Sequence, residues 1–213
     1  GASAMGGVVN VITRQSRGPV KAGALVALGS FNGVEFAGKV GGSLGRRLDF
    51  DLNGNVFNQR DDYRMGNGVV RPATTYKTYD GSARLGADLS TAWRLDGHVN
   101  VYRGRDINTP GDVFSGVTSQ GRKDLERASG DVRLSGQMGR HLLSGTFYHA
   151  EEQGHTSNVT TTNPLDQPFL PYLTFENELG WRGLQVKDAL GWARASSLVV
   201  GLDYEQVYSE SRS

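Results

Sequence analysis

Between Leu48 and Val56 the chain alternates with a period of two. Leu48, Phe50, Leu52, Gly54 and Val56 fall on one parity, and Asp49, Asp51, Asn53 and Asn55 on the other. Successive side chains of a β-strand point to opposite faces, so this segment makes a strand with one apolar and one strongly polar face. A helix would scatter both sets around its circumference. Two architectures accept such a strand. A soluble sheet turns the apolar face to a core, whereas a transmembrane barrel turns it to lipid and the polar face to a lumen.

The pattern recurs along the chain. Val20, Ala22, Ala24, Val26 and Leu28 share a parity and lead into a glycine-flanked turn at Gly29–Gly33, followed by Val34, Phe36, Gly38 and Val40. Further strands are marked by Gly81 to Leu89, Trp93 to Val101, Ala128 to Gly136, Leu184 to Trp192 and Leu198 to Tyr204. Asp188 interrupts the apolar parity of its strand. The segment from His141 to Glu151 is a strand of undecided facing, because Leu143 and Phe147 argue for one side and Leu142 and Tyr148 for the other. The count is about nine strands, an all-β chain.

The connections sort by length. Polar loops span about 58–79, 103–124 and 152–183, and they alternate with short turns. In an up-and-down sheet this puts every long loop at one end, and only the first hairpin is short there. Outer-membrane barrels have this asymmetry, with short periplasmic turns and long extracellular loops. Trp93 and Trp192 stand beside short turns, and Phe31, Phe57, Tyr102, Tyr148 and Tyr208 stand toward the long-loop end. They are expected to form two interfacial belts.

Composition excludes several classes. Lys and Arg number 23 against 22 Asp and Glu in 213 residues, so there is no basic footprint for nucleic acid. Cysteine is absent, which removes disulfides and thiolate-ligated metals. The longest aliphatic run, Ala24 to Leu28, is far short of the roughly 18 residues of a membrane helix. A barrel strand needs no such run.

The first residues carry a resemblance. Gly1 to Arg14 reads GASAMGGVVNVITR. It resembles the segment that closes the plug domain of TonB-dependent outer-membrane receptors, through Gly6, Gly7, Val8, Asn10, Ile12, Thr13 and Arg14. Met5, Val9 and Val11 are mild departures. Gly201-Leu202-Asp203-Tyr204-Glu205 also resembles a common barrel-strand segment of that family. The resemblance implies that residues 1–17 are the end of a plug and its link, and that 18–213 are the first portion of a larger plugged barrel. It further implies a bacterial outer-membrane location, embedding in outer-membrane lipid, coupling to TonB through a plug region upstream, and active uptake of a scarce nutrient such as a ferric siderophore or cobalamin. A passive porin-like barrel and a soluble carbohydrate-binding module are the rivals.

No catalytic constellation stands out, so no enzyme is expected, and nothing calls for a cofactor. None of His98, His141, His149 and His155 has metal-ligand spacing to another. His149 with Glu151 and Glu152 reads as a solvated strand end. Asp61, Asp62 and Asp112 read as turn residues before calcium ligands. What remains is recognition chemistry in loops: Asp61, Asp62, Tyr63, Arg64, Tyr76 and Tyr79 in the first, and Arg103, Arg105, Asp106 and Asn108 at the start of the second. Arg and Tyr suit a small anionic, aromatic metal chelate through charge and stacking.

Overall fold

The structure, a computed structural model, describes residues 15–71, 74–108, 121–157, 173–193 and 196–212. The motif Gly6, Gly7, Val8, Asn10, Ile12, Thr13 and Arg14 lies outside the described residues, as does Asp112.

One antiparallel sheet of nine strands dominates, in the order β1-β2-β3-β6-β7-β8-β9-β10-β11. The strands are β1 (Lys21–Gly29), β2 (Gly33–Leu44), β3 (Leu48–Gln59), β6 (Tyr76–Asp88), β7 (Trp93–Asn108), β8 (Arg122–Met138), β9 (His141–Ser157), β10 (Leu173–Ala193) and β11 (Ser196–Arg212). Each pairs with its predecessor in this order, and the sheet is an open meander with β1 and β11 at its edges. The small hairpin β4 (Tyr63–Arg64) and β5 (Val70–Arg71) stands in the first long connection.

The strands run further than their apolar alternation. The connections at the long-loop end therefore shrink to 60–75, 109–121 and 158–172, against the expected 58–79, 103–124 and 152–183. At the opposite end the turns are 45–47, 89–92 and 139–140, and β10 and β11 are only two residues apart in sequence. The sorting of loops by end stands. The first hairpin turns at Phe31 and Asn32, both at positive φ (57° and 53°), closed by Gly33 N–H donating to Ser30 O at 3.2 Å. Positive φ at both central residues matches the right-handed strand twist.

Register fixes which residues share a face, since residues directly opposite in an antiparallel pair point the same way. Asp49, Asp51, Asn53 and Asn55 oppose Gly86, Arg84, Ser82 and Asp80, which in turn oppose Asp96, His98, Asn100 and Tyr102. This is the polar, concave face. The convex face carries Leu28, Leu52, Leu85, Val99, Val132, Phe147, Leu184 and Leu202, all widely exposed, with Leu28 at 81% and Leu202 at 80%. Among the described residues Ala150 is the one buried hydrophobic. A soluble sheet would bury its apolar face against a second layer; here the exposed layer is the apolar one and the polar layer is inward.

The apolar belt also slopes. A single rung of directly paired residues joins Ala24, Gly38, Gly54, Gly81, Val101, Ala128, Glu151, Gly180 and Tyr208. The top of the belt lies four residues above that rung on β1, at Leu28, and four below it on β11, at Tyr204. With about 3.3 Å per residue and about 4.8 Å between strands, this slope corresponds to strands tilted about 35°. That tilt is the one a closing transmembrane barrel requires.

Two sequence expectations are settled by the register. β9 turns Leu143 and Phe147 outward, opposite Gly136 and Val132, and Leu142 and Tyr148 inward, opposite Gln137 and Asp131. The long-loop aromatics do not form one outer belt: Phe57, Tyr102 and Tyr148 face the concave side, and Tyr208 faces out with Tyr79 and Tyr204. Asp188, the break in β10, faces out near the short-turn end, where its Oδ2 lies 2.7 Å from His141 Nδ1.

Candidate functional site

The concave face has two tiers. Near the short turns, β3, β6 and β7 bring together Asp49, Asp51, Asp88, Asp96, Arg84 and Arg94. Arg84 donates from Nε to Asp51 at 2.7 Å and from Nη1 to Asp96 at 3.2 Å, and its Nη2 pairs with Asp49. Arg94 donates to Asp88 at 2.7 Å, to both oxygens of Asp49 at 2.8 and 2.9 Å, and to Asp96. Alternation puts these side chains on one face, and register puts them within reach of each other. The Arg84 side chain is only 6% exposed, and a charge so enclosed is tolerable only when fully paired.

The link before β1 reaches this cluster. Ser16 N–H donates to Asp51, Gly18 N–H donates to Ser43 Oγ at 2.9 Å, and Ser43 N–H donates to Gly18 O at 2.8 Å. Gly42 permits the approach: a Cβ there would stand 2.6 Å from Val20 Cα.

Further toward the loops the concave face is open, with polar side chains set among glycines and small apolar residues. A depression of about 620 Å³ is lined by Lys39, Asn53, Asn55, Asp80, Tyr102 and Arg127, among others. Arg127 pairs with Glu152, donating from Nε at 2.9 Å. At the mouth, Phe57 and Tyr76 pack with ring centroids 5.3 Å apart and planes tilted by 41°. Burial, with the neighbouring Tyr63 and Tyr102, pushes the Tyr76 hydroxyl above its ordinary pKa, which keeps it a neutral donor. Burial pulls the Arg122 guanidinium below its usual value, opposed by Asp106 and Asp62. Tyr76 and Tyr102, with Arg127 beside them, put phenols and a guanidinium on a rigid wall, suited to stacking on and hydrogen bonding to a small polar aromatic ligand. The described residues contain no group of three or more carboxylates and imidazoles that could hold a metal ion. The four histidines each meet a single carboxylate: His98 with Asp131, His141 with Asp188, His149 with Glu151 and His155 with Glu176.

No protein-family model and no curated protein sequence matches the chain. Solved structures do match its fold. The copper transporter OprC superposes with a TM-score of 0.69 at 16% identity, over 94% of this chain and 30% of that one. The FrpB iron transporter of Neisseria meningitidis gives 0.65 at 15% identity, over 91% and 29%. The siderophore receptor PirA of Acinetobacter baumannii gives 0.65 at 15% identity, over 97% and 32%. The chain shares with each of them the fold of a stretch of antiparallel β-barrel wall. The chain spans about a third of the length of the structures it matches.

Set on such a wall, the residues singled out from sequence separate into three groups. Asp61, Asp62 and Tyr63 shape the first loop. Asp61 N–H donates to Phe31 O at 3.1 Å, and Asp62 Oδ1 accepts from Thr74 N–H at 2.7 Å and from Thr74 Oγ1 at 3.2 Å. Tyr63 packs edge-on against Phe31 at 5.0 Å. This pins the loop over the first hairpin, and Arg64 is exposed in β4. Tyr76 alone joins the concave mouth. Tyr79, Arg103 and Arg105 face outward, where Lys77 caps the Tyr79 ring at 5.2 Å and the two arginines share Glu126. Asp106 holds a positive φ of 57° at a bulge, its N–H donating to Asp124 at 2.9 Å. Asn108 ends β7, and its side chain lies outside the described residues. The concave residues Phe57, Asp80, Tyr102 and Arg127 were not among the sequence candidates. Their signal was present: each shares parity with the polar face of its strand.

Proposed function

We propose that this chain is the first portion of the barrel of an outer-membrane receptor that takes up a scarce nutrient, a small metal chelate such as a ferric siderophore. Residues 1–17 are the end of its plug and the link, and 18–213 are barrel wall. The fold likeness to proteins described as copper, iron and siderophore transporters or receptors carries this reading. It is supported by the loops gathered at one end and by the plug-end resemblance of Gly6 to Arg14. The remaining strands, the TonB-contacting segment and most of the plug belong to the rest of the protein.

The wall performs no bond chemistry in this account. The ligand is held at the mouth by Tyr76, Tyr102 and Arg127 on the concave face and by the loop pinned through Asp62 and Thr74. Energy coupling through TonB then moves the plug, and the ion cluster of Asp49, Asp51, Arg84 and Arg94 keeps the wall rigid where the link leaves it.

The experiment is deletion of residues 61–73 in the full-length protein, which spares β3 and β6. Uptake of iron chelates under iron limitation should be lost while heat-modifiable gel mobility, a sign of a folded barrel, is kept. Unchanged uptake of every chelate would remove this loop from the binding site. Uptake that persists in cells lacking TonB would favour a passive porin instead.

A further inference from the structure

The convex face is apolar up to a defined edge, and the residues just above that edge are not random in charge. Taking the first outward-facing polar residue above the belt on each strand gives Asn58 on β3, Lys77 on β6, Arg103 on β7, Glu126 on β8, His149 on β9, Arg182 on β10 and Gln206 on β11. They follow the slope of the belt and so lie at one height in a membrane. Three are permanent cations, one is a histidine, and one is an acid. The acids Asp124, Glu151, Glu178 and Glu210 stand higher, away from the belt.

Two of these cations have no carboxylate of their own among the described residues. Lys77 caps the Tyr79 ring at 5.2 Å. Arg182 donates only to the neutral Gln206 Oε1, at 2.9 and 3.1 Å. Arg103 shares Glu126 with Arg105, and its side chain is 53% exposed. A cation left unneutralised at the edge of an apolar band is placed where lipid headgroups lie, with its aliphatic stem along the hydrocarbon and its charge among the headgroups.

We propose that this ring, through Lys77 and Arg182, binds the phosphate groups of anionic lipids in the leaflet on the long-loop side. The inference rests on the barrel reading above, since only a membrane-inserted wall presents the ring to headgroups. Lys77 and Arg182 lie four strands apart, so each holds a separate lipid and the ring acts as an annulus.

The test uses the full-length receptor in vesicles of phosphatidylcholine mixed with phosphatidic acid of the same acyl chains. Lipid retained per protein after detergent extraction is counted by native mass spectrometry. The native protein should retain phosphatidic acid over phosphatidylcholine by about fivefold for each unpaired cation, with K77Q/R182Q falling close to parity and K77R/R182K retaining the preference. Inorganic phosphate should leave the preference intact, since the site is for a headgroup anchored beside the belt. No preference in the native protein, or an equal preference in K77Q/R182Q, overturns the proposal. Heat-modifiable mobility in pure phosphatidylcholine separates the two ideas. Insertion without a lipid preference defeats the lipid ring alone, whereas failure to insert defeats the barrel reading with it.

Discussion

The backbone N–H of Ser16 donates to Oδ2 of Asp51 at 3.3 Å, across 35 positions of the chain. The same oxygen accepts from Arg84 Nε at 2.7 Å. One carboxylate thus joins the link before β1 to the ion network of the concave wall. The chain in front of β1 therefore leaves the wall on the concave side, at the short-turn end.

Arg84 is the keystone of that network. Replacing it by Met leaves Asp49 and Asp51 enclosed with less compensation, and breaking an enclosed pair costs about 3–5 kcal/mol. Arg103→Met removes a pair in which the arginine side chain is 53% exposed, a change expected to cost less than about 1 kcal/mol. Urea unfolding of the full-length protein from phosphatidylcholine vesicles would measure both. Equal costs would mean that the concave cluster is hydrated like the surface.

Gly180 and Tyr208 face each other across β10 and β11, and a Cβ at Gly180 would fall within the Tyr208 ring. Gly183 stands in the same relation to Tyr148, and Gly136 to Trp93. The glycines give the rings room to lie flat across the neighbouring strand, which pins the register. Gly180→Val should destabilise the barrel by about 1–3 kcal/mol. Tyr208→Ala in the same protein should recover much of that loss, a non-additivity read from a double-mutant cycle. Additive losses would show that the ring does not depend on the glycine.

The first long loop is held by the carboxylate of Asp62 on Thr74. Asp62→Ala removes the acceptor of the Thr74 amide, and a hydrogen bond of about 1–1.5 kcal/mol corresponds to roughly a tenfold change in local opening. Hydrogen exchange at Thr74 and its loop neighbours should speed up by about that factor, while amides in β3 and β6 stay protected. A loop whose exchange is unchanged is held by contacts other than this one.

The sequence revealed the wall wherever its two parities differ. From Leu48 to Val56 they differ at every position, so strand, facing and polarity all follow. β9 resisted because Leu142 and Leu143, and Phe147 and Tyr148, give both parities an apolar claim; only pairing with β8 decides. The loops are shorter than apolar alternation alone implies, for a physical reason. Above the belt, outward positions such as Arg103 and Glu126 meet polar surroundings, so apolar alternation vanishes although the hydrogen-bond ladder continues. The site suffered from the same effect. Arg103, Arg105 and Tyr79 look like loop residues in sequence, yet parity carried past the end of the belt puts them on the outside. Tyr102 and Arg127, on the polar parity of visible strands, were open to the same reasoning.

On the barrel account the convex face of this sheet meets lipid and the concave face a polar lumen. The most direct measurement is spin-label accessibility along β7 in the full-length protein in vesicles, one label at a time from residue 94 to residue 103. Labels at Leu95, Gly97, Val99 and Val101 should be relaxed by oxygen, those at Arg94, Asp96, His98 and Asn100 by a water-soluble nickel complex, and oxygen should lose its advantage at Arg103, where the belt ends. Accessibility without alternation, or with the two parities exchanged, would contradict the barrel account.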